Sequence, residues 1–290
     1  MFKIPLPSLL EVFNLLYLVA TPIGHLKDIT LRAIETLQAC DYILCEDTRH
    51  SLILLKHYEI HKPLISFHKF NEAYKEEQVI QDLKNNKTIC LISDAGTPGI
   101  SDPGARLVKR CLQENLKVFS VPGACAAISA ICISGLETNH FLFYGFLPRP
   151  QGALINALSE ILNQPFTSIC YESPERIQKV LEAIHRLDAH REVVIARELT
   201  KKFEEVVRGT AQQLIARHLE KKFKGEIVLL IAKNSGPSYE EWADLPIEEH
   251  VFRLQQENAI SLQEAIKQVA TLRSIPKRQV YNKIHHPKKL

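Results

Sequence analysis

Three stretches rich in Gly and Pro have the composition of a backbone shaped to meet a ligand: Ala20-Thr-Pro-Ile-Gly24, Ser93-Asp-Ala-Gly-Thr-Pro-Gly-Ile-Ser-Asp-Pro-Gly104 and Val121-Pro-Gly-Ala124. They hold five of the 11 glycines of the chain. Gly lets a backbone approach a bound group closely, and Pro fixes a loop so that little entropy is lost on binding. Ordinary turns use the same residues, so one such loop would mean little. The twelve-residue stretch at 93–104 is too long and too rigid for a mere connection. Together the three read as a preformed cradle for a flat, polar small molecule.

Polar side chains gather in four further clusters: Glu46-Asp-Thr-Arg-His50, Phe67-His-Lys-Phe-Asn-Glu72, Tyr171-Glu-Ser-Pro-Glu-Arg176 and Ala196-Arg-Glu-Leu-Thr-Lys-Lys202. Helix capping explains any one of them, since Asp47-Thr48 and Ser173-Pro174-Glu175 are good helix starts. Four of them at one face favour a site. Other chemistries find no support. There is no G-x-x-x-x-G-K-[ST], no G-x-G-x-x-G after a strand, no G-x-S-x-G and no H-E-x-x-H. His57 and His61 have metal-ligand spacing but no third partner, and no metal is expected. All seven cysteines lie in apolar context and read as core filling.

These loops need elements to hold them. Apolar runs at Leu15–Ala20, Tyr42–Cys45, Pro63–Ser66, Thr88–Ile92 and Lys117–Val121 predict strands, with helical spacing at Thr30–Gln38, Thr48–Tyr58, Asn71–Lys84 and Ala105–Gln113. Such alternation implies βαβ units and a mostly parallel sheet, whose ligands bind at the carboxyl ends of the strands. A second α/β block starts near Phe141. Its predicted strands are Phe141–Gly145, Thr167–Tyr171, Glu192–Arg197, Glu205–Gly209 and Glu226–Ala232, with helices near Gly152–Leu162, Pro174–Leu187 and Ala211–Leu219. The expected organisation is an N-terminal extension over 1–14, α/β domains over 15–138 and 139–233, a linker over 234–247 and a basic helical module over 248–290. In that module Ser261 and Glu264 open one helix and Pro276 starts a second. The pair reads either as a helix-turn-helix-like nucleic-acid module or as a solvated hairpin used for packing.

With 290 residues, 46% hydrophobic and 24% charged, the chain is an ordinary globular protein with room for two domains. Its net charge of +3 permits an anionic partner without demanding one. No stretch supplies the ~20 apolar residues of a membrane span. The absence of an export signal and of C-x-x-C pairs suggests reduced thiols and a cytoplasmic location.

The motifs Leu16-Tyr-Leu-Val-Ala-Thr-Pro-Ile-Gly24, Asp28-Ile-Thr-Leu-Arg-Ala33, Glu46-Asp-Thr-Arg49, the 93–104 stretch, Phe141 to Pro148, Tyr171-Glu-Ser-Pro174 and Ala196 to Lys201 closely resemble those of the tetrapyrrole methylase superfamily, in its branch acting on small-subunit ribosomal RNA. The resemblance implies a two-domain α/β homodimer that holds S-adenosylmethionine in an interdomain cleft. It also implies 2′-O-methylation of a cytidine in 16S rRNA, within the small ribosomal subunit. On that reading the cofactor meets Pro22, Gly24, Asp94, Ala95, Gly96, Pro98, Pro122 and Gly123. Asp47, His68, Glu172 and Glu198 are candidate bases, with no choice among them, and Arg49, Arg197, Lys201, Lys277 and Arg278 would grip RNA phosphates. The activated sulfonium methyl needs alignment with its acceptor more than acid–base help, and neither a metal nor a cysteine nucleophile is expected. Two other readings stay open: a methyltransferase acting on a tetrapyrrole, and a non-catalytic RNA-binding protein.

Overall fold

Short, mostly apolar runs form parallel strands, buried where the strand lies at the centre of the sheet, because a strand covered on both faces has no polar side to show. The five in the first half are β1 (Leu15–Val19), β2 (Tyr42–Cys45), β3 (Leu64–Ser66), β4 (Ile89–Leu91) and β5 (Lys117–Val121), and they pair in parallel in the order β3-β2-β4-β1-β5. Helices α1 (Leu31–Ala39), α2 (Thr48–His57), α3 (Glu72–Lys84) and α4 (Ala105–Gln113) connect them, within a residue or two of the predicted spans. Thr30 and Asp47 cap α1 and α2 with their side-chain oxygens. The computed structural model describes residues 15–234, 245–258, 260–273 and 275–285. The expected extension over 1–14, most of the expected linker and the last basic residues lie outside these.

A second sheet holds β6 (Phe141–Phe146), β7 (Thr167–Glu172), β8 (Glu192–Arg197), β9 (Glu205–Thr210) and β10 (Ile227–Ile231), in the order β6-β7-β10-β8-β9. Only β6 and β7 run parallel; every other neighbour pair is antiparallel. The residues between β8 and β9 are too few for a crossover helix, so that pair must turn back on itself. Helices α6 (Gln151–Leu162), α7 (Ile177–Leu187) and α8 (Ala211–Glu220) bury one face of this sheet. The other face takes α5 (Ala126–Ser134), whose Ala127, Ala130 and Ile131 pack on Ile169, Val194, Val228 and Leu230. So α5 precedes the expected boundary at 138/139 in sequence but belongs by packing to the second sheet. Gly135 ends it at φ 82, and the Arg208 guanidinium donates to the Ile133 and Ser134 carbonyls.

Contacts divide the chain between Lys233 and Asn234. Among the described residues the C-terminal unit contains three helices where two were predicted: α9 (Ile247–Asn258), α10 (Leu262–Leu272) and α11 (Lys277–His285). The extra helix is α9. Two short amphipathic helices cannot enclose their own apolar stripes, and Val251 and Leu254 complete the core with Ala265, Ile266, Val269 and Val280. Arg273 Nε donates to His250 Nδ1 at 3.0 Å, and burial followed by the Arg273 charge pushes His250 down to about 4, so it accepts as the neutral ring. Helix α11 buries Val280 and exposes Lys277, Arg278, Tyr281 and Lys283. No helix among the described residues is long and apolar enough to cross a membrane.

Candidate functional site

The loops after β1, β2 and β4 meet those after β7 and β8 around a cavity of about 730 Å³, within the range of small-molecule sites. The 93–104 stretch is held in shape by its own hydrogen bonds. Thr21 and Gly96 exchange backbone bonds of 2.8 and 3.1 Å, and Thr97 Oγ1 donates to the Ala124 carbonyl at 3.1 Å. Gly96 and Gly99 take φ of +81 and +82, which side-chain-bearing residues rarely adopt.

Of the expected cofactor positions, Asp94, Ala95 and Gly96 line the cavity, with Thr97, Ile100 and Asp102 from the same stretch. Pro22, Gly24, Pro98, Pro122 and Gly123 are not in its lining. Two of those glycines serve the chain itself. A Cβ on Gly24 would lie 2.5 Å from Lys201 Cγ, and one on Gly123 would lie 2.9 Å from the Ala20 side chain. Composition cannot distinguish a glycine that admits a ligand from one that admits a neighbouring loop.

The opposite wall comes from Tyr171–Glu175, Glu198, Lys201 and Gly225–Val228. Seven carboxylates are among the lining residues (Glu46, Asp94, Asp102, Glu172, Glu175, Glu198, Glu226) against one lysine. Burial, then the Glu46 and Asp94 charges, raises Asp102 to about 6. Burial likewise raises Glu46, with Asp94 adding to it. The Glu172 carboxyl is buried and raised, although Oε1 accepts the Ser173 N–H at 2.7 Å and Oε2 sits 3.4 Å from Arg176. That guanidinium also donates to the Leu147 and Pro148 carbonyls, which ties the end of β7 to the chain after β6.

Lys201 is locked. Its Nζ lies 3.0 Å from Glu198 Oε1 and 2.9 Å from Glu226 Oε2. Burial works to raise Glu198, but Lys201 and the Glu226 N–H outweigh it and hold Glu198 below the usual range. Among the four candidate bases, then, Glu172 and Glu198 line the cavity with their acidities shifted in opposite directions. Asp47 lies outside, capping α2 and holding Arg49 through two bonds of 3.1 and 2.7 Å, which keeps it well below the usual carboxylate range. His68 also lies outside the lining; its backbone N–H donates to Asn71 Oδ1 at 2.8 Å in the β3–α3 turn.

The expected phosphate-binding residues separate similarly. Arg49 is 90% exposed at its side chain, and Lys277 and Arg278 are exposed on α11. Arg197 is already committed: Nε donates to the Lys224 carbonyl at 2.9 Å and Nη1 to the Phe203 carbonyl at 3.1 Å, beside Glu205. Several lining residues were not singled out from sequence. Glu46, Asp102 and Tyr171 lay inside stretches already marked, whereas Gly225–Val228 carried no local signal and arrive through the antiparallel pairing of β10. Cys125, at the N-cap position of α5 without a side-chain cap bond, packs against the core of the second sheet and also lines the cavity, whereas Cys132 departs from its reading as core filling and is exposed.

A family model described as Tetrapyrrole (Corrin/Porphyrin) Methylases matches residues 15–215. A Halalkalibacterium halodurans protein named Ribosomal RNA small subunit methyltransferase I is 44% identical over 277 residues, covering 93% of this chain and 94% of its own. A Bacillus subtilis protein of the same name is 41% identical over 276 residues, covering 94% of each. Among solved structures, a cobalt precorrin-4 methyltransferase superposes with a TM-score of 0.57 at 16% identity. That likeness covers 95% of the solved chain and 76% of this one. A diphthine synthase gives 0.58 at 15% identity, over 75% of this chain. Those two establish the fold alone.

Proposed function

The chain belongs to the tetrapyrrole methylase family, in the group of relatives named Ribosomal RNA small subunit methyltransferase I, and from that membership we propose that it moves the methyl group of S-adenosylmethionine to a ribose 2′-hydroxyl of a cytidine in 16S rRNA. The observation that carries this reading is sequence similarity: relatives of that name are 41–44% identical over more than nine-tenths of the chain, whereas the precorrin enzyme is 16% identical. The family model also ends at residue 215, before the helical unit with its basic α11. That favours RNA over a tetrapyrrole as acceptor.

The cavity suits the methyl donor. S-adenosylmethionine carries a net positive charge, its thioether product carries none, and the lining is rich in carboxylates. The Asp94–Gly96 backbone and Asp102 would hold the cofactor, which supplies the activated methyl, while Tyr171 and Phe146, rings 5.6 Å apart, offer an apolar wall. Glu172, buried and raised, is the better placed of the two lining candidates to take up a hydroxyl proton, because Glu198 is already neutralised by Lys201.

Two experiments test this. Small subunits from cells lacking the activity should accept labelled methyl from the pure protein, with the label in an alkali-resistant dinucleotide; label in a base, or in a tetrapyrrole offered instead, would overturn the proposal. The second reads pH. Asp102 gains its charge as pH rises through about 6, so affinity for the cationic donor should strengthen between pH 5 and 7. Asp102→Asn should flatten that rise, lower donor affinity several-fold at pH 8 and leave the neutral product nearly unaffected. Calorimetric titration of both molecules at each pH measures it.

We also place a homodimer contact on the edge strands β5 and β6, where Phe119, Phe141, Phe143 and Tyr144 are 36–47% exposed. A monomer in sedimentation at micromolar concentration would remove it.

A further inference from the structure

Two loops beside the cavity are held together by one guanidinium. Arg197 Nε donates to the Lys224 carbonyl, and Arg197 Nη1 donates to the Phe203 carbonyl, so the β8–β9 turn and the α8–β10 loop lie side by side. A second anchor fixes the latter loop. Phe223 is buried, its ring centroid is 5.2 Å from that of His218, and its N–H donates to His218 Nδ1 at 3.2 Å. With Phe223 pointing inward, Lys221, Lys222 and Lys224 are left exposed. On the adjoining turn Lys202 is exposed over the ring of Phe203, itself 65% exposed. Of the acids nearest in sequence, Glu226 pairs with Lys201, while Glu204, which accepts the Thr200 N–H, and Glu220 are exposed, so the four lysines outnumber the acids that face solvent beside them. The next residues along both loops, Lys201, Gly225 and Glu226, line the cavity. A rim bearing four exposed lysines thus borders an acidic interior.

From this arrangement we propose that the Arg197-pinned rim, Lys202, Lys221, Lys222 and Lys224 with Phe203, is the track for the sugar–phosphate backbone of unpaired RNA next to the nucleotide in the cavity. Phosphates need cations spaced along a path, an unstacked base needs an exposed ring, and the acidic interior keeps the backbone outside while admitting one nucleoside. Arg197 is then a positioning residue. Its guanidinium shapes the rim and is not available to a phosphate.

The inference rests on the proposed RNA substrate, and the experiment separates the two. The full chain is titrated with a single-stranded RNA of about 15 nucleotides carrying 2-aminopurine, and methyl transfer to small subunits is measured in parallel. Replacing Lys202, Lys221 and Lys222 with Gln should flatten the log–log salt dependence of binding by about 2, at about 0.7 per lost phosphate contact. S-adenosylmethionine affinity and melting temperature should not change, and the corresponding triple Arg variant should restore the slope. Exposed Lys56, Lys109 and Lys179, changed to Gln together, remove the same net charge elsewhere and should leave the slope nearly intact. Phe203→Ala should reduce RNA affinity about fivefold or more without changing the slope and should diminish 2-aminopurine quenching. Equal slopes for the rim and control sets would overturn the inference while leaving the RNA reading standing. Failure of the parent protein to bind RNA or to methylate small subunits would overturn that reading and the inference with it.

Discussion

Gly96→Val is expected to weaken S-adenosylmethionine binding by about tenfold to a hundredfold in a protein that still folds. Gly96 sits at φ +81, where a β-branched residue is strained by about 1–3 kcal/mol. A Cβ there would come 3.3 Å from Ile23 Cγ2 and 3.5 Å from the Ala124 carbonyl, so there is little room for relief. The loop must move, and with it the two backbone bonds to Thr21 that set the cavity wall. Calorimetric titration measures the loss, and circular dichroism checks the fold. Affinity within about threefold of the parent would take this stretch out of the cofactor site.

Ending the chain at about residue 237 is expected to cost RNA affinity on the order of a hundredfold at moderate salt and to flatten the salt slope by about 2–3. The removed unit carries Lys277, Arg278 and Lys283 on the exposed side of α11. The first unit keeps its own cores, so S-adenosylmethionine affinity should persist. Binding titrations across a range of salt concentrations decide the matter. An unchanged slope would make the three-helix unit a packing element, the second of the two readings its sequence allowed.

These two changes differ in how plainly the sequence announces them. The 93–104 stretch is legible residue by residue: its length, its Gly and Pro and its position after a strand mark a built loop, and Asp94, Ala95 and Gly96 do face the cavity. The strands are equally legible, since an apolar run such as Ile227–Ile231 has no other stable place than between two layers. What pairs with it is not written locally. Backbone hydrogen bonding is much the same for any partner strand, so the insertion of β10 between β7 and β8 is decided by packing of the whole second sheet. That insertion brings Gly225–Val228 to the cavity.

The same division runs through the side chains. The sequence by itself determined which groups can carry charge, and it marked Glu172, Glu198, Lys201 and Arg197 together as candidates. Only the tertiary structure decided their states. Lys201 meets two carboxylates, Arg197 is used up on two carbonyls, and Glu172 is buried and raised while Glu198, held by Lys201, is lowered. Residue type and spacing are one-dimensional properties and survive in the chain as written. Desolvation and charge pairing fall off over a few ångströms and depend on neighbours distant in sequence, so they come into being only when the chain has folded.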